Sequence, residues 1–304
     1  MKSKILITGA SGFVGQNLVH KLSETDNEFD IYNLSRGPLN IDGVKNIECS
    51  ADNFDFSVIS NMEFDYIVNL LALSHDKDCV DFEYAQSVNI DFTKRILEFA
   101  KIQKKLKKFI HLSSAIIYDN SNVPPVSEED RLYLNYSNYS FTKGVSDYYA
   151  QFYAEKYGLP VIIFRLSNIY GPSQNFVNSP FLVPSKIVEA LTEGKINVFN
   201  LRPKRDWIYS EDAVEAIIKS LDVDYNGVLN LASGKGVSVE ELISEIAIQT
   251  DVEFTSEGRE TSGPLNFYCD ISKTTEVLNW KPTTSLEEGM KKTINYAKKI
   301  LKIE

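Results

Sequence analysis

Tyr139 and Lys143 lie four residues apart in NYSNYSFTKG, where a stretch of helical patterning begins. On a helix that spacing sets a phenol and an ammonium on one face. A free phenol titrates near about pH 10, too high for proton transfer at neutrality. A neighbouring cation, joined by the positive nicotinamide ring of an oxidised cofactor, favours the phenolate and lowers that value. A second group comes from KKFIHLSSAIIYD, whose β-like run ends at Ser113-Ser114. A serine hydroxyl there can donate to, and accept from, an alcohol that is becoming a carbonyl. Phenol, ammonium and hydroxyl together suit a proton transfer coupled to movement of hydride.

Hydride needs a carrier, and the N-terminal segment offers a place to hold one. KILIT runs into Gly9-Ala10-Ser11-Gly12-Phe13-Val14-Gly15, a G-x-x-G-x-x-G spacing between strand and helix patterns. Gly9 permits the sharp turn, Gly12 lets backbone approach a diphosphate, and Gly15 lets the helix lie close on the sheet. The free N–H groups at the helix start then receive the anion. Gly9, Ser11, Gly12, Phe13, Val14 and Gly15 are read as the cofactor's phosphate loop. About 20 residues further on, where a carboxylate would take the adenosine 2′-hydroxyl, stand Ser35 and Arg36. A hydroxyl and a guanidinium suit a 2′-phosphate, which a carboxylate would repel. NADP(H) is therefore the favoured cofactor and NAD(H) the alternative. Asp52 and Asn53, after the third strand, are placed for the adenine. Leu71 and Ala72, after the fourth, are assigned to the cofactor as well.

The elements that must position these groups alternate in type. Short β-branched runs fall at Lys4–Thr8, Ile31–Leu34, Ile47–Cys49, Tyr66–Leu71, Lys108–Ser113 and Val161–Leu166, with Val228–Ala232 as a seventh. Helical patterns lie between them at Phe13–Ser23, Asp81–Gln103 and Tyr139–Tyr157. Strands apolar on both faces that alternate with helices imply an α/β, doubly wound (Rossmann-type) parallel sheet. After Gly171-Pro172 loops lengthen, and helices are expected near Phe181–Glu193, Ser210–Leu221, Val239–Gln249 and Leu286–Leu301. The expected organisation is a dinucleotide-binding domain over 1–171 and a smaller, loop-rich, mainly substrate-binding lobe over 172–304. Residues 206–232 are expected to return to the first domain.

Bulk properties narrow the partners. A net charge of −10 argues against nucleic acid or an anionic membrane, so an anionic ligand must be met by individually placed arginines. Cys49, Cys79 and Cys269 form no C-x-x-C pair and read as inert thiols in a reducing compartment. His20, His75 and His111 share no ligand spacing, so no metal is expected. The apolar run after MKSK is too short for a signal-peptide core. No stretch approaches the roughly 20 apolar residues of a membrane span. A cytoplasmic protein is expected.

TGASGFVG, SSAIIYD, YSFTK, RLSNIYGP and RDWIYSEDAV, in that order, resemble the extended short-chain dehydrogenase/reductase family, in particular its NAD(P)-dependent nucleotide-sugar epimerases, dehydratases and reductases. The resemblance runs from residue 4 to about 300. It implies a catalytic triad of Ser114, Tyr139 and Lys143, with Tyr139 and Lys143 also touching the cofactor and Asn89 supporting its site. It implies a nucleotide-diphosphate sugar as substrate, met by Ser74, Ser114, Asn168, Arg205 and Arg259. The surroundings of Arg259 depart from the usual R-P-G.

Other departures narrow the reaction. Ala115 and Ile116 stand where the resembled 4,6-dehydratases carry an Asp-Glu pair and decarboxylating relatives a glutamate. Neither can transfer a proton, so elimination and decarboxylation by those routes are disfavoured. Asp119, where the family usually has glycine, has no account from sequence. The leading reading is an NADPH-dependent 4-ketoreductase with Tyr139 as general acid, because Ser35-Arg36 fit NADPH. A 4-epimerase with tightly held NAD is the alternative, and a non-catalytic dinucleotide-binding scaffold a third reading. Tyr148, Tyr149, Phe152, Tyr153 and Tyr157 cover more of their helix than one sheet-facing stripe requires. With the resemblance, they point to a homodimer joined through this helix and the one at Asp81–Gln103.

Overall fold

The computed structural model describes residues 2–24, 28–260 and 263–303. Seven strands form one parallel sheet: β1 (Ser3–Thr8), β2 (Phe29–Ser35), β3 (Lys45–Glu48), β4 (Tyr66–Asn69), β5 (Lys108–Ser114), β6 (Val161–Leu166) and β7 (Gly227–Leu231). Their spatial order is β7-β6-β5-β4-β1-β2-β3. All six pairings are parallel. The apolar run at the seventh expected strand thus closes the sheet beside β6, with Val228 opposite Ile163.

Alternation of side chains explains why the strands are apolar throughout. Ile5, Ile7, Ile110, Ile162 and Phe164 enter one core with Leu18, Leu22, Val214 and Ile217 of helices Phe13–Glu24 and Ser210–Lys219. The intervening Leu6, Ile67, Phe109, Val161 and Ile163 enter a second core on the other face. There they meet Ile96, Leu97, Ala150 and Tyr153 of helices Phe92–Lys101 and Asn138–Tyr157. Both faces are covered, so neither can be polar.

The stretch expected as one helix over Asp81–Gln103 is three pieces. Helix Phe82–Gln86 passes through a π-turn at Ser87–Asp91 before Phe92–Lys101 continues. Past residue 171 a third core joins Val183 and Ile187 of helix Leu182–Glu193 to Leu242, Ile243 and Ile246 of Val239–Thr250 and to Met290 and Ile294 of Leu286–Leu301. Two small sheets that sequence periodicity did not reveal lie here. Lys204–Tyr209 pairs with Asn168–Tyr170 and Gly236–Ser238, and Lys195–Val198 pairs with Glu253–Ser256. Among the described residues no helix is long and apolar enough to cross a membrane. Nor do any three or more His, Cys, Asp or Glu among them cluster as a metal site.

Candidate active site

The strand order reverses between β1 and β4, so the loops at their carboxyl ends open a crevice. Gly9 ends β1 with φ +70°, and a Cβ there would come within 2.9 Å of the Leu71 backbone after β4. A Cβ on Gly15, one turn into helix Phe13–Glu24, would meet Ala10 Cα and the Gly9 carbonyl oxygen at 2.5 Å. The loop therefore folds against its own helix with no room for a side chain, as a dinucleotide cradle requires. Thr8 ties the two loops together: its hydroxyl donates to Asn69 Oδ1 at 2.6 Å and accepts from the Leu71 amide at 3.2 Å. Asn17 tethers the helix to the second lobe by donating to the Pro172 carbonyl at 2.9 Å. Neither Thr8 nor Asn17 stands out in the sequence, because neither belongs to the glycine spacing.

At the end of β2 the two residues expected to meet the cofactor are placed differently. Ser35 is buried and its hydroxyl turns inward, donating to Asn33 Oδ1 at 2.6 Å and to the Gly37 carbonyl at 2.9 Å. It is spent on the turn rather than offered to a 2′-phosphate; the exposed Arg36 is the group left to meet one. Asp52 and Asn53 lie exposed beyond β3, with Asp52 accepting from Ser50.

Strand alternation separates the two serines at the end of β5. Ser113 is buried at the register position of Arg165, whereas Ser114 accepts from the Ile116 amide and faces the Tyr139 phenol. Tyr139 sits in the first turn of helix Asn138–Tyr157, which a Ser137/Ser140 capping box starts. Burial pushes the phenol up to about 12; the Ser114 hydrogen bond pulls it down, while Cys79, Asp76 and Asp78 push it further up. The lowering expected from Lys143 is therefore not what the protein's own groups produce. The Lys143 ammonium is one helical turn away and donates to the Leu112 carbonyl at 2.6 Å. Burial draws Lys143 down to about 8, opposed by Asp147 and Cys79. His111, buried beside them, is held well below its usual range by burial and by Lys143, and its Nδ1 meets Asn69 Nδ2 at 3.1 Å.

Asn89 occupies the π-turn, and the irregular turn aims it inward. Its Oδ1 accepts from the Leu73 amide at 2.7 Å, and its Nδ2 donates to Thr142 Oγ1 at 3.0 Å. It thus clamps the chain after Ala72 to the residue before Lys143. Ser74 is exposed in this same segment, just ahead of the short turn Asp76–Cys79. Asp119 now has an account. Its carboxylate accepts from the Ser121 amide at 2.9 Å and pairs with Arg131 at 3.1 Å, and it meets the Tyr136 hydroxyl. It shapes the loop that delivers Tyr139.

Across the crevice, Asn168 donates to the Asp206 carbonyl at 3.0 Å. Arg205, half-buried beside it in the strand, donates through Nη1 to the carbonyls of Lys204 and Pro264, each at 2.8 Å. The Asp206 carboxylate, unremarked in the sequence, is fully buried and collects donors from Ser167, Ser233, Gly234 and Cys269. It fastens the strand of Arg205 to three neighbouring segments. Arg259 makes separate contacts: its guanidinium lies 4.8 Å from the Phe199 ring centre and pairs with Glu257 at 2.5 Å.

A doubly wound sheet, a glycine turn packed too tightly at Gly9 and Gly15 for a Cβ, and Ser114, Tyr139 and Lys143 near its carboxyl edge form the kind of crevice that dinucleotide-dependent enzymes use. Residues 5–232 match the model of the NAD dependent epimerase/dehydratase family, and the chain belongs to that family. It is 29% identical to a putative UDP-glucose 4-epimerase of Methanocaldococcus jannaschii, over 97% of this chain and 98% of the relative. A dTDP-4-dehydro-6-deoxyglucose reductase of Escherichia coli is 26% identical over 96% and 97% of the two chains. The crystal structure of a UDP-glucose 4-epimerase from Thermotoga maritima with UDP-glucose superposes with a TM-score of 0.89 at 26% identity, covering 98% of this chain and 99% of that one.

Proposed function

We propose that the protein catalyses oxidoreduction at C4 of a sugar carried on a nucleotide diphosphate, as an NADPH-using 4-ketoreductase. The observation that supports the reading is the approach of the Ser114 hydroxyl, at the end of β5, to the Tyr139 phenol, one helical turn from Lys143. Ala115 and Ile116 follow Ser114 and offer no acid or base, so the set suits one proton at one oxygen rather than elimination. A phenol held near 12 keeps its proton at neutral pH, which is the form a general acid needs. Tyr139 gives that proton to the sugar oxygen, Ser114 orients the oxygen, and the Lys143 ammonium offsets the charge left on the phenol.

A bound nicotinamide dinucleotide would supply hydride. The loop from Gly9 to Gly15 with Leu71 and Ala72 would hold it, Asp52 and Asn53 would face its adenine, and Arg36 would take a 2′-phosphate. Asn168, Arg205, Arg259 and Ser74 would receive the nucleotide sugar, with 172–304 as the substrate lobe. The exposed Tyr148, Phe152 and Tyr157 support a homodimer through their helix. A cytoplasmic location accords with this chemistry.

The second reading is an NAD-dependent 4-epimerase. It is favoured by the inward turn of Ser35 and by the likeness to UDP-glucose 4-epimerases. Identifying the dinucleotide released on denaturing the purified protein, with assays on 4-keto nucleotide sugars plus NADPH and on UDP-glucose, separates the two. NADPH oxidation without retained NAD is expected. Tightly retained NAD with C4 inversion and no net oxidation replaces the reductase by the epimerase. Tyr139→Phe should lower turnover by about 10²–10⁴-fold while sparing dinucleotide binding; full turnover in that variant overturns both readings.

A further inference from the structure

One buried ion pair lies behind the site and takes no part in the chemistry just described. Arg165 on β6 meets Asp147 on helix Asn138–Tyr157 through two bonds, Nε to Oδ2 at 3.1 Å and Nη2 to Oδ1 at 3.2 Å. Their side chains are 3% and 0% exposed. Removing two charges from water is costly, and a surface-independent fold would do as well with apolar residues of similar size. The position of the pair gives it another use. Asp147 follows Lys143 by one helical turn, as Lys143 follows Tyr139, so the three share a face. Gln151 donates to the same carboxylate at 2.5 Å, fixing it from the next turn.

The guanidinium also reaches the other arm of the site. Arg165 Nη1 donates to the Tyr118 hydroxyl at 3.3 Å and to the Glu128 carbonyl at 2.9 Å. Tyr118 in turn donates to Asn230 Oδ1 on β7 at 2.7 Å. Tyr118 stands four residues past Ser114, and Glu128 lies in the loop that leads to Tyr139. One side chain on β6 therefore touches the segment leaving Ser114, the loop approaching Tyr139 and the helix carrying Lys143.

We infer that the Asp147–Arg165 pair is a positioning element for this site: it locks the Lys143 turn and the Ser114–Tyr139 connection onto β6 and fixes the Asp147 carboxylate one helical turn from Lys143. The inference rests on the functional reading of Lys143 given above. The groups facing the ammonium are Asp147 on its own helix, Cys79 on the turn Asp76–Cys79, and the Leu112 carbonyl and His111 on β5. Of these, Asp147 is the carboxylate that opposes the effect of burial on Lys143.

The test is the pH dependence of turnover in the full-length protein. In the wild type, activity that needs the ammonium falls as pH rises through about 8. Asp147→Asn keeps the shape and removes the charge, so the fall should move about 1 pH unit lower, the attraction at i,i+4 spacing being partly cancelled by Arg165. Arg165→Lys retains the Asp147 charge but loses the two-pronged contact; its fall should stay at the wild-type pH while kcat drops several-fold. This second variant keeps the idea testable if Asp147→Asn does not fold. A folded Asp147→Asn protein with the wild-type profile overturns the inference. So does an Arg165→Lys protein with unchanged kcat, or with a profile shifted like that of Asp147→Asn. Lys143→Met separates the levels: if it keeps full turnover, the reading of the site has failed rather than the role of the pair.

Discussion

Gly15→Ala is the sharpest test of the cofactor loop. The added Cβ would sit 2.5 Å from Ala10 Cα and from the Gly9 carbonyl oxygen, and 2.7 Å from the Ala10 carbonyl oxygen. All three are backbone atoms, so no rotamer change relieves the contact. Restoring an ordinary separation requires the helix start to withdraw by roughly 1 Å, a severe case of overpacking that costs about 3 kcal/mol. Alanine returns about 1 kcal/mol of helix propensity, which leaves a net loss of about 2 kcal/mol. For a chain of this size that corresponds to a Tm lower by about 3 °C. The larger effect should be on the cofactor. Withdrawing the helix start weakens charge-assisted bonds to the diphosphate, each worth about 1.5–3 kcal/mol, so Kd should rise at least about tenfold. Calorimetric titration with NADPH and NADH, alongside thermal unfolding, reads both effects. Gly37→Ala is the control: a Cβ there meets nothing within 4 Å, and stability should stay within about 0.5 kcal/mol. Wild-type affinity and Tm in Gly15→Ala would refute the assignment of this loop as a close-packed phosphate cradle.

Two further substitutions probe the flanks. Arg36→Ala should reduce the kcat/KM preference for NADPH over NADH by about 10–100-fold, the worth of a charge-assisted contact. An unchanged ratio would remove Arg36 from cofactor choice. Asn89→Ala strands the Leu73 amide and removes the donor to Thr142 Oγ1, which keeps only its own bond to the Tyr139 carbonyl, costing about 1–3 kcal/mol. Calorimetric unfolding should show that loss together with weaker dinucleotide binding; intact stability would mean the π-turn holds itself.

Much of this could be read from the chain. The glycine loop was legible because its spacing, its strand and its helix adjoin in sequence, and helix Phe13–Glu24 begins where Gly12 ends the loop. Tyr139 and Lys143 were legible for the same reason: i,i+4 is a local relation. The small strands Asn168–Tyr170 and Lys195–Val198 were not, since three or four residues carry too little alternation to register. The π-turn was hidden because one extra residue per turn barely disturbs an amphipathic pattern across Asp81–Gln103. The direction of Ser35 was not legible, because its type fits a phosphate while its orientation depends on Asn33 and Gly37.

Local spacing, then, pointed to the class of chemistry: a turn that admits no Cβ at Gly9 or Gly15, and a phenol four residues before an ammonium. Tertiary structure decided what surrounds those groups. Arg165 finds Asp147 across 18 residues, Asn69 finds His111 across 42, and Asp206 gathers donors from as far as Cys269. Burial, not the neighbouring lysine, sets the proton affinity of Tyr139. Desolvation and charge coupling depend on distances through space, which a one-dimensional chain does not contain until its sheet and helices have packed.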